Sequence, residues 1–162
     1  MEEMFKNCSS LNLMPDISHW NNIINKGKTV NITNIASIFE GCSSLKSLPN
    51  LSNWNTSKMT NMNYIFKNCS SLISLPNIST WDINQVKTMK GMFEGCTALT
   101  SIPDISNWKT INIVDMEELF KNCSNLTSIP DLSKWDIHNV GNMKDIFYGC
   151  SKLNNIPQLI NK

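Results

Sequence analysis

The chain has 162 residues, of which 41% are hydrophobic and 17% are charged, and its formal net charge is +1. This length predicts one folded unit over residues 1–162, because domains usually contain about 100–200 residues. All 14 basic residues are lysine, and none of them forms a basic run. We therefore expect no nucleic-acid partner. Membrane insertion of this segment is not expected either, because no apolar run reaches the ~20 residues of a span.

The chain consists of six copies of one unit, of which the first and last are incomplete, and the usual period is 27 residues. Each copy has one cysteine, preceded by a phenylalanine three residues earlier and, in five copies, followed by a tryptophan twelve residues later. A unit this short buries its apolar side only against neighbouring copies, so we expect these residues to form structural ladders. They are Cys8, Cys42, Cys69, Cys96, Cys123 and Cys150; Phe5, Phe39, Phe66, Phe93, Phe120 and Phe147; and Trp20, Trp54, Trp81, Trp108 and Trp135.

The period is interrupted once, by a seven-residue insertion near residues 23–29. It contains Lys26 and Lys28. Insertions in repeat proteins often lie on the binding face, so these two lysines are candidate binding residues. The alternative is a loop without function, because long surface insertions have little effect on stability.

The residue pattern of each unit predicts one short strand followed by one short helix. In the copy that begins at Cys69, residues 72–78 are apolar at intervals and contain Pro76, which favours an extended segment. The second half of this copy has apolar residues at helical spacing. They are Val86, Met89, Met92, Phe93 and Cys96. The glycine or asparagine before each cysteine is typical of a helix end.

The repeated motifs C-x-x-L…P-[DN]-[IL]-S-x-W and M-x-x-[MI]-F-x-[NG]-C resemble those of the BspA-like leucine-rich repeat surface proteins, over essentially the whole chain. The resemblance implies an α/β fold, a right-handed leucine-rich-repeat-like solenoid with one short parallel strand and one short helix per coil. It also implies a protein at the cell surface or secreted, with a role in adhesion and protein binding. Residues 1–10 have no signal-peptide pattern.

The six cysteines predict buried free thiols, since cysteine packs as a small apolar group. Zinc is disfavoured because no two cysteines are closer than 27 residues. Disulfides between successive copies remain an alternative, because ladder Cα atoms about 5 Å apart suit a disulfide. Asp104 and Asp131 follow the proline in successive copies, and hydrogen-bonded turns are favoured there over a calcium site. We predict no catalytic residue, metal or cofactor.

A further candidate binding surface lies four residues after the cysteines. It comprises Lys46, Ile73, Thr100 and Thr127, each followed by a serine. Stacked copies would present these side chains as a small, flat strip rich in serine and threonine. Such a strip suits contact with a protein or a glycan better than it suits a deep pocket.

The sequence therefore predicts a non-enzymatic protein- or glycan-binding or adhesion module of a cell-surface or secreted repeat protein. Its ligand is a protein or glycan that the sequence does not identify. Neither end of the chain has the polar cap that shields terminal repeats. The alternative is accordingly a structural unit that stacks end to end through its uncapped terminal coils, by self-association.

Overall fold

The computed structural model describes residues 1–18, 24–25, 28–29, 32–157 and 159. Isolated parallel bridges connect equivalent residues of successive copies, so each copy makes one circuit and packs against the next. The bridges join Asn34 to Asn61, Asn61 to Thr88, Thr88 to Asp115, and Asp115 to Asn142. We call each circuit a coil: coil 1 comprises the described residues of 1–33, coil 2 is 34–60, coil 3 is 61–87, coil 4 is 88–114, coil 5 is 115–141 and coil 6 is 142–157.

The regular elements among the described residues are two strands in the insertion of coil 1. They are β1, Ile24–Asn25, and β2, Lys28–Thr29. The strands are antiparallel, with Ile24 opposite Thr29 and Asn25 opposite Lys28. The insertion therefore contains a two-stranded antiparallel sheet of its own.

The predicted helix in each coil is wrong, because no described residue is helical. In coil 3, Tyr64 and Asn68 each have a φ of 58°, which interrupts right-handed helix geometry. Alternate N–H groups in this segment donate to coil 4 instead of to a carbonyl four residues back. These bonds are Tyr64 N to Lys90 O at 2.9 Å, Phe66 N to Met92 O at 2.9 Å, and Asn68 N to Glu94 O at 2.7 Å. Successive tight turns thus produce apolar spacings of three and four residues, which imitate a helix.

The predicted strand in each coil is also wrong. Between Lys46, Ile73 and Thr100 there is one backbone hydrogen bond per pair of neighbouring coils, at 3.3 and 3.4 Å. Pro76 offers no N–H to extend this pairing. The expectation of an α/β leucine-rich-repeat solenoid is therefore overturned, because β1 and β2 are the only strands in the described part of the chain and it contains no helix.

Aromatic side chains form the centre of the stack. Phe39, Phe66, Phe93 and Phe120 are fully buried, and the rings of successive phenylalanines lie 5.2–5.8 Å apart in nearly parallel planes. Each stacked pair contributes about 0.5–1.5 kcal/mol beyond the burial of its area. Phe5 and Phe147, in the terminal coils, are only partly buried.

Cysteine and tryptophan also connect the coils through hydrogen bonds. Each thiol from coil 2 onward donates to the carbonyl of the preceding phenylalanine in the ladder, at 3.0–3.1 Å. The indole N–H of each described tryptophan donates to a carbonyl of the preceding coil at 2.9–3.2 Å. These side chains therefore satisfy buried backbone carbonyls as well as filling space. Trp20 lies outside the described residues.

Candidate binding surface

The residues predicted four positions after the cysteines lie side by side. Lys46, Ile73, Thr100 and Thr127 are all exposed. Backbone hydrogen bonds join each to its neighbour, and the Thr127 hydroxyl adds a bond to the Thr100 carbonyl at 3.1 Å. The serines that follow are exposed as well, and Ser101 and Ser128 form a parallel bridge. We call these eight residues, 46–47, 73–74, 100–101 and 127–128, the hydroxyl strip.

A second row of hydroxyl groups borders the hydroxyl strip. The hydroxyls of Ser70 and Thr97 donate to the carbonyls of Ser43 and Ser70, at 3.3 and 3.1 Å. Since each hydroxyl donates its proton within the protein, its oxygen lone pairs stay available to a donor on a partner. Ile73, which is 55% exposed, is an apolar point in this polar surface.

The segment before each cysteine carries most of the ion pairs of the described residues. Lys67 contacts Glu94 at 2.6 Å and Lys90 contacts Glu117 at 2.5 Å, and both pairs bridge neighbouring coils. Lys121 contacts Glu118 at 2.6 Å within one coil. We call this surface the ion-pair face. Its positive and negative charges neutralise one another, so this face attracts a charged partner only weakly.

Hydrogen bonding shifts the proton affinities on the ion-pair face. The hydrogen bond that Lys90 donates lowers the pKa of Glu117 and raises the pKa of Lys90 itself. The hydrogen bond to Glu118 raises the pKa of Lys121 in the same way. These shifts favour the charged forms of both lysines and of Glu117, which is the state in which the ion pairs form.

The two lysines predicted in the insertion are not brought to the hydroxyl strip by any described contact. Lys26 lies outside the described residues. Lys28 is part of β2, for which the structure defines the backbone pairing with Asn25. Their role in binding stays a prediction.

All six cysteines are free, and five of them are buried, whereas Cys8 in coil 1 is exposed. Burial raises the pKa of Cys42 to about 11 and that of Cys96 to about 12. Because the thiolate is the reactive form, these two buried thiols are poor nucleophiles and poor metal ligands near neutral pH.

The post-proline aspartates form hydrogen-bonded turns. Asp104 accepts the Ser106 N–H at 3.0 Å, and Asp131 accepts the Ser133 N–H at 2.9 Å. The hydrogen bonds from Ser106 lower the pKa of Asp104. Across the described residues, no three His, Cys, Asp or Glu side chains come together as a metal-binding group.

The concave features of the surface are open grooves. One has a volume of about 260 Å³ and lies beside Trp108, with Lys109, Ile111 and Lys134 in its walls. Another, of about 330 Å³, lies on the ion-pair face between Lys6 and Tyr64. Such grooves suit contact with an extended or flat partner better than enclosure of a small molecule.

The described part of the chain has no helix able to cross a membrane.

The sequence interpretation missed that the coils alternate in type. The two residues before the cysteine are Lys-Asn in coils 1, 3 and 5, but Glu-Gly in coils 2 and 4 and Tyr-Gly in coil 6. The lysine of coil 3 pairs with the glutamate of coil 4, whereas the lysine of coil 5 lies over the Tyr148 ring at 5.9 Å. Comparing these dipeptides two copies at a time reveals a period of twice 27 residues.

Comparison with known proteins gives one family. The family described as "Mycoplasma protein of unknown function, DUF285" matches the chain twice, over residues 1–102 and 73–160. No curated protein and no solved structure matches the chain. The two family matches overlap in coils 3 and 4 and together extend over all six coils. The chain therefore belongs to the Mycoplasma protein family of unknown function DUF285.

Proposed function

We propose that the chain is a non-enzymatic module of a cell-surface or secreted repeat protein that binds a protein or glycan through the hydroxyl strip. The resemblance of its repeat motifs to BspA-like surface proteins supports the location and the adhesive role. Membership of the DUF285 family is compatible with this proposal, because that family has no assigned function of its own.

One observation carries the proposal: the hydroxyl strip is exposed and held in register by bonds between coils. The Thr127 N–H and hydroxyl both bond to the Thr100 carbonyl, at 3.0 and 3.1 Å. These bonds limit the motion of the strip, so a partner loses little binding free energy to ordering it. The same groups repeat from coil to coil, which suits a partner that itself has a repeating structure.

Charge has a small part in this mode of binding. The strip contains one charged residue, Lys46, and its other seven side chains are serine, threonine or isoleucine. Hydrogen bonds and contact with Ile73 would supply most of the affinity. We expect binding to depend weakly on salt, because salt screens interactions between charges.

The test compares two double variants with matched chemistry. Ile73→Glu with Thr127→Glu places charges in the hydroxyl strip. Val114→Glu with Thr80→Glu is the control, because Val114 is also an exposed apolar residue and the Thr80 hydroxyl also donates to a carbonyl of the preceding coil, at 3.0 Å. The probes are a glycan array and an immobilised mucin with its glycans intact or enzymatically removed.

The wild-type chain and the control should bind at least one probe. The strip variant should bind at least about tenfold more weakly, which corresponds to about 1.4 kcal/mol. Intact melting curves for both variants would show that folding is unchanged. Failure of the wild type to bind any probe, or equal losses in both variants, would contradict the proposal.

A further inference from the structure

In the segment before each cysteine, the backbone hydrogen bonds between coils all run in one direction, from one coil to the next. In each interior coil at least three alternate N–H groups of this segment donate to carbonyls of the next coil. From coil 5 to coil 6 these bonds are Glu118 N to Lys144 O at 2.9 Å, Phe120 N to Ile146 O at 2.9 Å, and Asn122 N to Tyr148 O at 2.7 Å. In this segment the stack is therefore polar, with acceptors at the coil 1 end and donors at the coil 6 end.

The two ends carry complementary groups at the same spacing. In coil 1 the carbonyls of Glu2, Met4 and Lys6 have no backbone partner among the described residues. In coil 6 the N–H groups of Asp145, Phe147 and Gly149 likewise have none within that part of the chain. The three donors and three acceptors occupy the positions that are paired between every two neighbouring coils.

Side chains at the two ends are exposed where their interior counterparts are buried. Met4 is 49% exposed, whereas Ile65, at the same position of coil 3, is fully buried. Met143 is 38% exposed, whereas Met116 of coil 5 is fully buried. These differences measure the apolar surface that a further coil would cover.

The ends also match in the alternation of coil type. Coil 6 has Tyr148 and Gly149 before its cysteine, and inside the stack a coil of this glycine type is followed by a Lys-Asn coil. Coil 1 is a Lys-Asn coil. Its Cys8 thiol is exposed, while every later thiol donates to the phenylalanine carbonyl of the coil before it.

We propose that a second copy of this chain docks head to tail, so that coil 1 of one protomer stacks on coil 6 of another. Asp145, Phe147 and Gly149 then donate to Glu2, Met4 and Lys6 of the next protomer, and the Cys8 thiol donates to the Phe147 carbonyl. The partner is identified by continuity, because it repeats the coil-to-coil interface already present within the chain. Such a heterologous contact does not close on itself and yields open chains of protomers.

The test uses one blocking substitution at each end. Wild-type protein should form oligomers that lengthen between micromolar and near-millimolar concentration in sedimentation velocity. Met4→Lys and Met143→Lys should each remain monomeric, because each places a charge in one half of every interface. An equimolar mixture of the two variants should form a dimer and nothing larger, because each variant retains one functional end. Val114→Lys, at a 49% exposed apolar residue outside both terminal coils, should assemble like the wild type.

Circular dichroism of the tryptophan ladder would verify that each variant is folded. A monomeric wild type throughout the concentration range would overturn the proposal. So would oligomers that survive either end substitution, or a mixture that stays monomeric although both variants are folded. An association blocked by Met4→Lys alone would indicate a symmetric contact between two first coils and would equally overturn head-to-tail docking.

Discussion

The side-chain oxygen of Asn68 occupies the space beside Gly95 of the next coil that a Cβ atom at residue 95 would need. Asn7 has the same relationship to Gly41, and Asn122 to Gly149. Each asparagine and each of these glycines has a positive φ. Glycine and asparagine tolerate this conformation better than other residues. The alternation thus provides the required backbone at every coil and leaves room for every asparagine.

Substitution of Gly95 should be strongly destabilising. Gly95→Ala places a Cβ against Asn68 and forces alanine to a φ of +70°, so we expect a loss of about 2–4 kcal/mol in the free energy of unfolding, of which the conformation alone accounts for about 1–2. Chemical denaturation measures it. Gly141→Ala is the control, because its φ is ordinary and the nearest atom to the added Cβ lies 3.8 Å away. A Gly95→Ala protein as stable as Gly141→Ala would refute the steric account.

Two buried threonines at equivalent positions should respond differently to the same substitution. The Thr110 hydroxyl donates to the Asp136 carbonyl at 2.8 Å, whereas the buried Thr56 hydroxyl has no hydrogen-bond partner among the described residues. Thr110→Val should therefore cost about 1 kcal/mol, while Thr56→Val should be neutral or stabilising by up to about 1 kcal/mol. Urea unfolding of the two variants compares them directly. Equal effects would show that the hydroxyl of residue 56 is satisfied in solution.

One cysteine should react much faster than the other five. Cys8 is exposed, whereas Cys42 and Cys96 are buried and burial raises their pKa values to about 11 and about 12. Iodoacetamide at pH 8 and micromolar protein should modify one thiol per chain, as counted by mass spectrometry, and all six after denaturation. Cys8→Ser should abolish the fast reaction. Rapid modification of Cys96 in folded protein would contradict the burial of the ladder.

The ion pair between Lys90 and Glu117 should make stability depend on pH. Because the folded protein lowers the pKa of Glu117, its contribution is complete above the unfolded value of about 4.3 and is lost as pH falls through the lower folded value. Wild type should therefore exceed Glu117→Gln in melting temperature at pH 7, and the gap should narrow below pH 4. Glu2→Gln is the control, since Glu2 forms no ion pair within the described residues. A gap that is constant with pH would assign the effect to packing instead.

The 27-residue period and its buried ladder positions can be read from the sequence, because residues such as Phe66 and Cys69 recur once per copy. The helix cannot be told from a series of turns in this way, since Ile65, Phe66 and Cys69 face the core in either case. The series of turns differs from a helix because its alternate N–H groups bond to the next coil. The spacing of residues within one copy does not encode these bonds between coils. The positive φ of Tyr64 cannot be predicted from the sequence either, because tyrosine has no preference for a positive φ.

The candidate surface was partly predictable for a similar reason. Ile73 and Thr100 stand out as positions where the repeat varies among exposed residue types, so a strip at this place follows from periodicity. The thiol hydrogen bond from Cys96 to the Phe66 carbonyl does not follow, because it depends on how far successive coils are offset. The alternation of Asn68 and Gly95 is present in the sequence, but its meaning emerges only when neighbouring coils are seen in contact.

The pairing of coil types also limits how such a gene can change in length. Loss of one copy by unequal recombination, for example residues 61–87, would bring Gly41 next to Gly95 and Glu40 next to Glu94, which leaves a void and two like charges. Loss of residues 61–114 would restore the original neighbours throughout. The number of coils in proteins built on this plan should therefore increase and decrease in steps of two. Selection should act on whether coils are gained or lost in pairs, even where it does not act on total length.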